Sequence, residues 1–385
     1  MICVTICVTK RGYPPLSSSF IFFSQLVNTR IGLSVVIMSC DNIVLYGGVE
    51  GGASNTKFVL VNSDGKILSS SYGSGTNQYL IGVEECLKRI NALVQEALVK
   101  ADLPTSVTLE ALGMSLSGGD EKSVQSEIKE YLRTHYPNLA RHYFVGSDTQ
   151  SVLAAALPNG GVVLIAGTGS NCQLINPDGS LARCGGWGHL IGDEGSACWI
   201  SLKAIKIFFD HEDGMFPCSY DVTAVKDAIY KYYDIRDRSG LLDHLYTNFN
   251  KAKFSGLCKE LARVGLEKKD PLCCEIFEEA GKILARHLYG ISNKIEKDLK
   301  EREGGLPIVC VGSVFKSWDL LKPGFLKEMK SVLAETNIHE VTLLRLNSEA
   351  SIGAAALGAH ASGKALPLDY ANNATVFFHS VFTNP

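Results

Sequence analysis

Asp148 and Asn77 are polar residues at places where ligand-binding side chains often occur. Asp148 follows Ser147 at the point where a predicted strand gives way to a helix. Ligands of α/β sheets bind beyond the carboxyl ends of strands, and a carboxylate there could accept the proton of a hydroxyl that attacks a phosphate. An Asp in this place could instead only cap the helix. Asn77, in a glycine-rich loop, could likewise bind a ligand or simply form an Asx turn.

Three glycine-rich turns each follow a predicted strand. They cover residues 47–54, 167–171 and 312–313. Glycine lets backbone N–H groups approach an anion and point at it. One such turn is ordinary in a hairpin, but three of them favour a phosphate-binding site. The usual nucleotide motifs are missing, since the sequence has no G-x-x-x-x-G-K-[ST] and no complete G-x-G-x-x-G after a strand.

The segment 184–197 combines many glycines with polar side chains. It carries Trp187, His189, Asp193 and Glu194. This stretch is too rich in glycine for a helix and too polar for a core. Polar groups on a nearly bare backbone suit a polyhydroxylated ligand such as a sugar. A lone histidine is more often structural, but the neighbouring tryptophan and carboxylates favour a binding loop.

The elements that must position these residues occur twice along the chain. Strands predicted at 43–49 and 56–61 enclose one glycine turn, and strands at 162–166 and 172–175 enclose another. Each second strand is preceded by Ser-Asn and followed by an Asn-x-Asp-Gly turn. The copies lie about 115 residues apart, which predicts a duplicated α/β domain. A helix of small residues at 350–360 can approach another helix or backbone closely.

Composition excludes several classes of protein. The chain has 385 residues, of which 46% are apolar and 20% are charged, so length predicts two or three domains with packed cores. A net charge of −3 provides no basic surface for nucleic acid, and no apolar run is long enough for a membrane helix. The 12 cysteines are scattered without a C-x-x-C pair, which favours a reducing compartment such as the cytoplasm.

The first 40 residues differ from the rest. They contain many serines, three basic residues and no acidic residue before position 41. This composition could mimic an organelle transit peptide. The alternative that we favour is an unstructured or non-native leader, with Met38 as a plausible true start.

Six motifs together resemble the eukaryotic N-acetyl-D-glucosamine kinases. This family belongs to the sugar kinase/Hsp70/actin superfamily, on its branch with the BadF-type ATPases. The resemblance runs from about Tyr46 to the C-terminus. The motifs are Tyr46-Gly-Gly-Val-Glu-Gly-Gly, Ser115-Leu-Ser-Gly-Gly-Asp, Gly167-Thr-Gly-Ser-Asn-Cys, Cys184-Gly-Gly-Trp-Gly-His, Gly192-Asp-Glu-Gly-Ser-Ala and Cys310-Val-Gly-Ser-Val.

The resemblance implies an α/β fold of two RNase-H-like (actin-like ATPase) domains with duplicated mixed-sheet cores and a cleft between them. After the leader (1–40), residues 41–158 would form the N-terminal, sugar-side domain with the first phosphate turn. Residues 159–365 would form the ATP-side domain with a helical insertion. Residues 366–385 would be a tail packed back on the N-terminal domain.

The resemblance also implies the reaction and the site. ATP with Mg²⁺ would phosphorylate the 6-hydroxyl of N-acetyl-D-glucosamine in amino-sugar salvage, with Asp148 as general base. Glu50 would hold Mg²⁺ through a water, and the family implies a homodimer. The sugar-site positions are Asn77, Asp148, Ser170, Asn171, Gly186, Trp187, Gly188, His189 and Asp193. The ATP-facing positions are Ser54, Thr168, Ser255, Ser313 and Ser317.

One departure and several alternatives accompany this hypothesis. The family's first phosphate turn usually reads Gly-Gly-Gly-Thr, whereas here Ala53 and Ser54 take the last two places, so the hydroxyl is kept but a positive φ at Ala53 would strain the turn that faces ATP. A BadF-type ATPase activator would need cluster-ligating cysteines. A ROK-type kinase would carry a zinc motif, C-x-C-G-x-x-G-C, which is missing. A catalytically inactive sugar sensor, or a kinase of N-acetylmannosamine or glucose, stays open.

Overall fold

The computed structural model describes residues 44–52, 54–119 and 121–383. The leader and Ala53, on which two of the predictions rest, lie outside the described residues. The chain from Leu45 onward forms one compact unit, and everything below concerns that unit. Among the described helices, none is long and apolar enough to cross a lipid bilayer.

Five strands and four helices make up the first half. The strands are β1 (Leu45–Gly51), β2 (Asn55–Asn62), β3 (Ile67–Ser74), β4 (Leu109–Leu116) and β5 (Ala140–Gly146). The helices are α1 (Gln78–Ile81), α2 (Val83–Lys100), α3 (Lys122–His135) and α4 (Asp148–Ala156). The sheet order is β3-β2-β1-β4-β5. The first three strands form antiparallel hairpins, whereas β4 runs parallel to β1 and β5 parallel to β4.

The second half has six strands. They are β6 (Gly161–Ala166), β7 (Ser170–Ile175), β8 (Leu181–Gly185), β9 (Leu306–Val311), β10 (Glu340–Leu346) and β11 (Ala374–Val381). The sheet order is β11-β10-β9-β6-β7-β8. Strands β6 to β10 therefore repeat the order and the directions of the first sheet, and β11 is added at the edge.

Ten helices and three short 3₁₀ segments accompany the second sheet. The helices are α5 (Ala197–Glu212), α6 (Thr223–Tyr233), α7 (Leu241–Leu245), α8 (Lys251–Lys268), α9 (Pro271–Ile291), α10 (Lys297–Glu301), α11 (Trp318–Ser331), α12 (Leu333–Thr336), α13 (Ala350–Ala361) and α14 (Tyr370–Asn373). The 3₁₀ segments are Arg238–Gly240, Ser292–Lys294 and Ser313–Ser317. Helices α5, α6, α8, α9 and α11 share the largest core with the sheet.

The predicted duplication is confirmed down to the hairpin turns. The Asn62 N–H donates to the carbonyl of Lys66 at 3.0 Å, and the Asn176 N–H donates to the carbonyl of Ser180 at 2.9 Å. The same Asn-x-Asp-Gly sequence therefore closes both hairpins in the same way. The predicted α/β architecture with two mixed sheets is the observed one.

Helix α13 packs between the first sheet and α4, because small residues allow unusually close packing. A methyl group added to Gly48 or Gly113, in β1 and β4, would collide with backbone atoms of α13. One added to Gly353 would collide with the carbonyl oxygen of Ser151 in α4. The helix thus covers the first sheet, although the sequence placed it in a second domain over 159–365.

The C-terminal segment also differs from its prediction. Residues 366–385 were expected to pack on the N-terminal domain. Leu366 does lie in a small core with Tyr46 and Val59 of the first sheet. Strand β11, however, pairs antiparallel with β10 of the second sheet. Its run of β-branched and aromatic residues favours a strand, and β10 offers it an unpaired edge.

Candidate active site

Asp148 occupies the first turn of α4 at the carboxyl edge of the first sheet. The helix cap is Ser147, whose N–H donates to the side chain of Gln150 at 3.0 Å. Ser147 therefore caps the helix. Asp148 is not the helix cap, which was the alternative role that the sequence allowed for it. The Asp148 carboxylate instead borders a cavity.

That cavity, of about 300 Å³, joins Asp148 to the first phosphate turn. Its lining residues are Glu50, Gly51, Gly52, Asn55, Thr56, Lys57, Tyr72 and Asp148. Burial raises the pKa of Glu50, and the nearby charge of Asp148 raises it further, whereas Lys57 and a backbone hydrogen bond from Ser351 oppose the shift. Two carboxylates that repel each other across a cavity are the arrangement that a bound cation or a shared proton relieves.

The hairpin holds Glu50 and Lys57 opposite each other in register. The backbone of Ser351, in the first turn of α13, hydrogen-bonds to the Glu50 carboxylate. The Lys57 ammonium forms an ion pair with Glu349, the residue that precedes that helix. Both side chains of the hairpin therefore contact the start of α13.

A second cluster lies at the start of β7. The Asp193 carboxylate accepts the Ser170 N–H at 3.1 Å through one oxygen and the Lys251 ammonium at 2.7 Å through the other. The Ser170 hydroxyl donates to the carbonyl of Glu194 at 2.7 Å. Asp193 is buried and has a φ of +60°, a backbone conformation that few non-glycine residues adopt. A partly buried ion pair thus fixes the turn at Asp193 within the segment 184–197.

The predicted binding loop surrounds Asn171. The Gly186 N–H donates to the carbonyl of Ser170 at 3.1 Å, so the loop is tied to β7. The Asn171 side chain lies against Gly186, and its buried amide oxygen has no hydrogen-bond partner among the described residues. A buried polar atom without a partner costs stability, so a ligand N–H or O–H at this place would be favourable.

The remaining loop residues are more exposed. Trp187 is 64% exposed, with the guanidinium of Arg183 4.5 Å from its ring centroid. Gly188 adopts a positive φ of 81°. His189 stacks on Phe249 at 5.5 Å between ring centroids and borders a cavity of about 260 Å³ that also contains Asp193. None of these loop residues lines the cavity of Asp148.

The ATP-facing predictions divide into two groups. Gly312 approaches Gly167 so closely that a Cβ on Gly312 would lie 2.7 Å from the Gly167 nitrogen, which brings the turns of Thr168 and Ser313 together. Both of these side chains are exposed. Ser317 is buried at the end of a 3₁₀ segment. Ser255 is also buried, and its hydroxyl donates to a carbonyl of its own helix at 3.0 Å.

A larger cavity, of about 510 Å³, connects the two sheets. Its lining includes Glu50, Val152, Gly312, Lys316, Arg345 and Ser348. Glu50 therefore borders both this cavity and that of Asp148. Its wall includes the carboxyl ends of β1, β9 and β10, the edge where α/β proteins bind ligands.

Asn77 and Ser54, which were predicted to contact ligands, form local hydrogen bonds within the chain. The Asn77 side-chain oxygen accepts the Tyr79 N–H at 3.0 Å and caps α1, which is the Asx-type role that the sequence left open. Ser54 is exposed, and its carbonyl accepts the Gly75 N–H at 3.0 Å. Neither lines the cavity of Asp148.

Sequence reasoning missed two cations. Lys57 and Lys251 belong to none of the motifs, and only the fold brings each to a carboxylate of the site. Alternation along β2 could have flagged Lys57, since a lysine facing the core side of a strand is unusual. Nothing in the sequence links Lys251 to Asp193.

A metal ion would need oxygen, nitrogen or sulfur ligands at the site. The described residues contain no group of three or more His, Cys, Asp or Glu side chains that could hold one. Mg²⁺ commonly binds through only one or two carboxylates together with phosphates and waters. The pair of Glu50 and Asp148 at one cavity fits that mode. The nine described cysteines are free, and six of them are buried.

Comparisons with known proteins agree with this architecture. A curated N-acetylmuramic acid/N-acetylglucosamine kinase from Clostridium acetobutylicum is 25% identical over 308 residues, which cover 80% of this chain and 95% of that protein. An N-acetyl-D-glucosamine kinase from Dictyostelium discoideum is 25% identical over 332 residues, covering 81% and 97%.

A solved structure and a family model complete the comparison. The structure, of a proposed N-acetylglucosamine kinase from Chromobacterium violaceum, superimposes with a TM-score of 0.60 at 22% identity and covers 82% of this chain and 99% of that one. It shows a shared fold. The model of the BadF/BadG/BcrA/BcrD ATPase family matches residues 48–358. This chain belongs to the BadF/BadG/BcrA/BcrD ATPase family.

Proposed function

We propose that this protein is an ATP-dependent kinase of N-acetyl-D-glucosamine that phosphorylates the sugar 6-hydroxyl in amino-sugar salvage. The observation that carries the proposal is the cavity in which Asp148 faces the glycine turn Gly51–Gly52. It places a carboxylate that is not the helix cap beside backbone suited to phosphate. The curated relatives named as N-acetylglucosamine kinases support the choice of sugar.

Asp148 is the general base in this proposal. Its carboxylate accepts the proton of the attacking hydroxyl, a role that commonly contributes 10²–10⁴-fold to rate. The glycine turns Gly51–Gly52 and Gly167–Gly169 hold the phosphate oxygens on either side, although the Gly52 and Gly167 N–H groups themselves donate to the carbonyls of Asn55 and Gly169 at 2.9 Å. Phosphoryl transfer depends mostly on such positioning and charge stabilisation, and the duplicated hairpins supply one turn each.

Glu50 would hold Mg²⁺, through a water. Its carboxylate is shared between the two cavities of the site, and the repulsion from Asp148 makes a cation favourable there. When bound, the metal ion neutralises charge on the phosphate oxygens. The proposal assigns Ser54, Thr168, Ser313 and Ser317 to the nucleotide side of the site, together with Ser255 of α8.

The second cluster binds the sugar. The unpartnered oxygen of Asn171 supplies an acceptor, and the loop of Gly186, Trp187, Gly188 and His189 provides polar and aromatic contacts. Ser170 and Asp193 hold that loop in place, and Asn77 contributes from the first half. Because the loop and Asp148 border different cavities, we propose that closure of the two halves unites them around the sugar.

The direct test is an ADP-release assay of the full chain. N-acetylglucosamine, N-acetylmannosamine, N-acetylmuramic acid and glucose would be compared at equal concentration with MgATP. We expect release with N-acetylglucosamine and little with glucose. Equal release with every sugar would remove the acetyl selectivity. Release without any sugar would favour an ATPase activator, and no release at all with bound sugar would favour a sugar sensor.

The proposed setting is the cytoplasm, in agreement with the unpaired cysteines, and the proposed assembly is a homodimer. Light scattering after size exclusion would measure the mass in solution. A mass near 41.7 kDa, the value for one chain, would contradict the dimer.

A further inference from the structure

Lys57 provides a positive charge at the site that the proposed mechanism does not use. It is the only cation among the residues that line the cavity of Asp148. Its side chain is only 13% exposed. Burial of a lysine is costly unless its charge is compensated, so its position needs a reason beyond solubility.

The partners of the ammonium group are all negative or aromatic. It forms an ion pair with Glu349 and lies 4.6 Å from the ring centroid of Tyr72. Its charge also acts on Glu50, its cross-strand neighbour. Glu349 is 46% exposed, so its carboxylate can return to water at little cost if the lysine finds another anion.

Geometry makes phosphate the natural second anion. Lys57 follows the turn of Gly51 and Gly52 by only a few residues and faces the same cavity. A lysine on a flexible four-carbon stem is a common point-charge ligand of phosphate. A polyphosphate carries several negative charges and outcompetes a single half-exposed carboxylate.

We propose that Lys57 is a phosphate-binding residue whose ammonium moves from Glu349 to the nucleotide phosphates. The inference rests on the proposed function only in taking the anion to be a nucleotide. Glu349 holds the side chain in the cavity before the nucleotide binds. Its own charge therefore competes with the phosphates, and nucleotide affinity reflects the difference between the two contacts.

This role differs from that of a structural strut between β2 and α13. If the ion pair only held β2 against α13, substitution of either Lys57 or Glu349 would weaken nucleotide binding. If Glu349 competes with the phosphates, the two substitutions have opposite effects on nucleotide affinity. Loss of the lysine weakens nucleotide binding, whereas loss of the glutamate charge strengthens it. Because Glu349 would act on the nucleotide through its ion pair with Lys57, removal of Glu349 should have little effect once the lysine is gone.

The test measures ADP binding by calorimetry in the full-length chain without sugar. We expect Lys57→Met to weaken binding by about 10-fold, the size expected for a charge-assisted hydrogen bond, and Lys57→Arg to retain most of it. Glu349→Gln should tighten binding several-fold, and the double variant should match Lys57→Met. Lys66→Met, an exposed lysine of the same hairpin, controls for net charge.

Several outcomes would overturn the proposal. They are wild-type affinity in Lys57→Met, weaker binding in Glu349→Gln, or an equal loss in Lys66→Met. Thermal melting of each variant shows whether it folds, and Lys57→Arg gives a second reading if Lys57→Met does not. Since no sugar is present, a failure of the sugar-kinase proposal would leave these results unchanged and is recognised separately by the ADP-release assay.

Discussion

The carboxylate of Asp193 and the ammonium of Lys251 form a partly buried ion pair at 2.7 Å that ties the binding loop to α8. Asp193 is 5% exposed and has a left-handed backbone conformation. The pair fixes a turn that its own backbone preference would not maintain. The orientation of the loop therefore depends on a helix more than fifty residues later in the chain.

Removal of Lys251 should destabilise the protein and loosen the loop. In Lys251→Met, Asp193 keeps only the Ser170 N–H as a partner, and an unpaired buried charge costs about 3–5 kcal/mol, less here because Lys251 is one-third exposed. We expect a lower urea midpoint and a raised KM for sugar. The double variant Asp193→Asn/Lys251→Met should recover part of the stability. A double variant as unstable as Lys251→Met would contradict this account.

Substitution of the proposed base should abolish turnover without unfolding the protein. Asp148→Asn keeps the shape of the side chain but cannot accept a proton, so kcat should fall by about 10²–10⁴-fold. Ser147 still caps the helix, so the melting temperature should change little. Near wild-type kcat in a folded Asp148→Asn would exclude the base role. Ser147→Ala, the matched control, should lower stability by about 1 kcal/mol and affect kcat less.

Glu50 should make the protein less stable as pH rises. Its pKa is raised in the folded state by burial and by Asp148, so the folded protein holds the proton more tightly than the unfolded chain. Stability contributed by this site is therefore present below about pH 4.5 and is lost as pH rises through the folded pKa. Glu50→Gln should be more stable than wild type at pH 8 and equal to it at pH 4.

The measurement for Glu50 is urea unfolding of both proteins at the two pH values. Glu50→Gln should also lower kinase turnover, because the amide carries no charge to hold Mg²⁺. A variant that is less stable than wild type at pH 8 would show that the carboxylate is required as an ion. If Glu50→Gln is more stable but less active than wild type, the Glu50 carboxylate lowers the stability of the folded protein while it supports catalysis.

The contact between α13 and α4 should tolerate no added methyl group. A Cβ on Gly353 would collide with the carbonyl oxygen of Ser151. Overpacking costs about 1–3 kcal/mol, and the shift of α4 would displace Asp148. We expect Gly353→Ala to lower both the melting temperature and kcat. His360→Ala, on the exposed part of the same helix, should leave kcat unchanged, and equal losses in both variants would argue against a specific contact.

Much of the fold could be predicted because it depends on local patterns that occur twice. The hairpin turns at Asn62 and Asn176 show in the sequence as the same four-residue pattern and form the same hydrogen bond. Helix α2 follows the helical spacing of its buried residues. The small residues of α13 predicted close packing, but not against which half, since periodicity carries no information about a distant partner.

Only those site residues that belong to a sequence motif could be predicted. Asp148 and Gly51 were found because they follow strands, and the fold brings strand ends to one edge. No motif contains Lys57 or Lys251: alternation along β2 marks Lys57 as unusual, but only the fold shows the carboxylate that each lysine pairs with. The exact position of β11 was also out of reach, because edge pairing is decided by which edge is free.

The close cover of the first sheet by α13 has a consequence for synthesis on the ribosome. Strand β4 ends at Leu116, but α13 begins at Ala350. At roughly 5–20 residues per second, the intervening chain takes on the order of 10–50 s to make. During that time the apolar face of Tyr46, Val59 and Ala111 lacks its partner helix. The nascent first half is therefore a client for chaperones, and a gene split between the halves should yield an insoluble first fragment unless both fragments are made together.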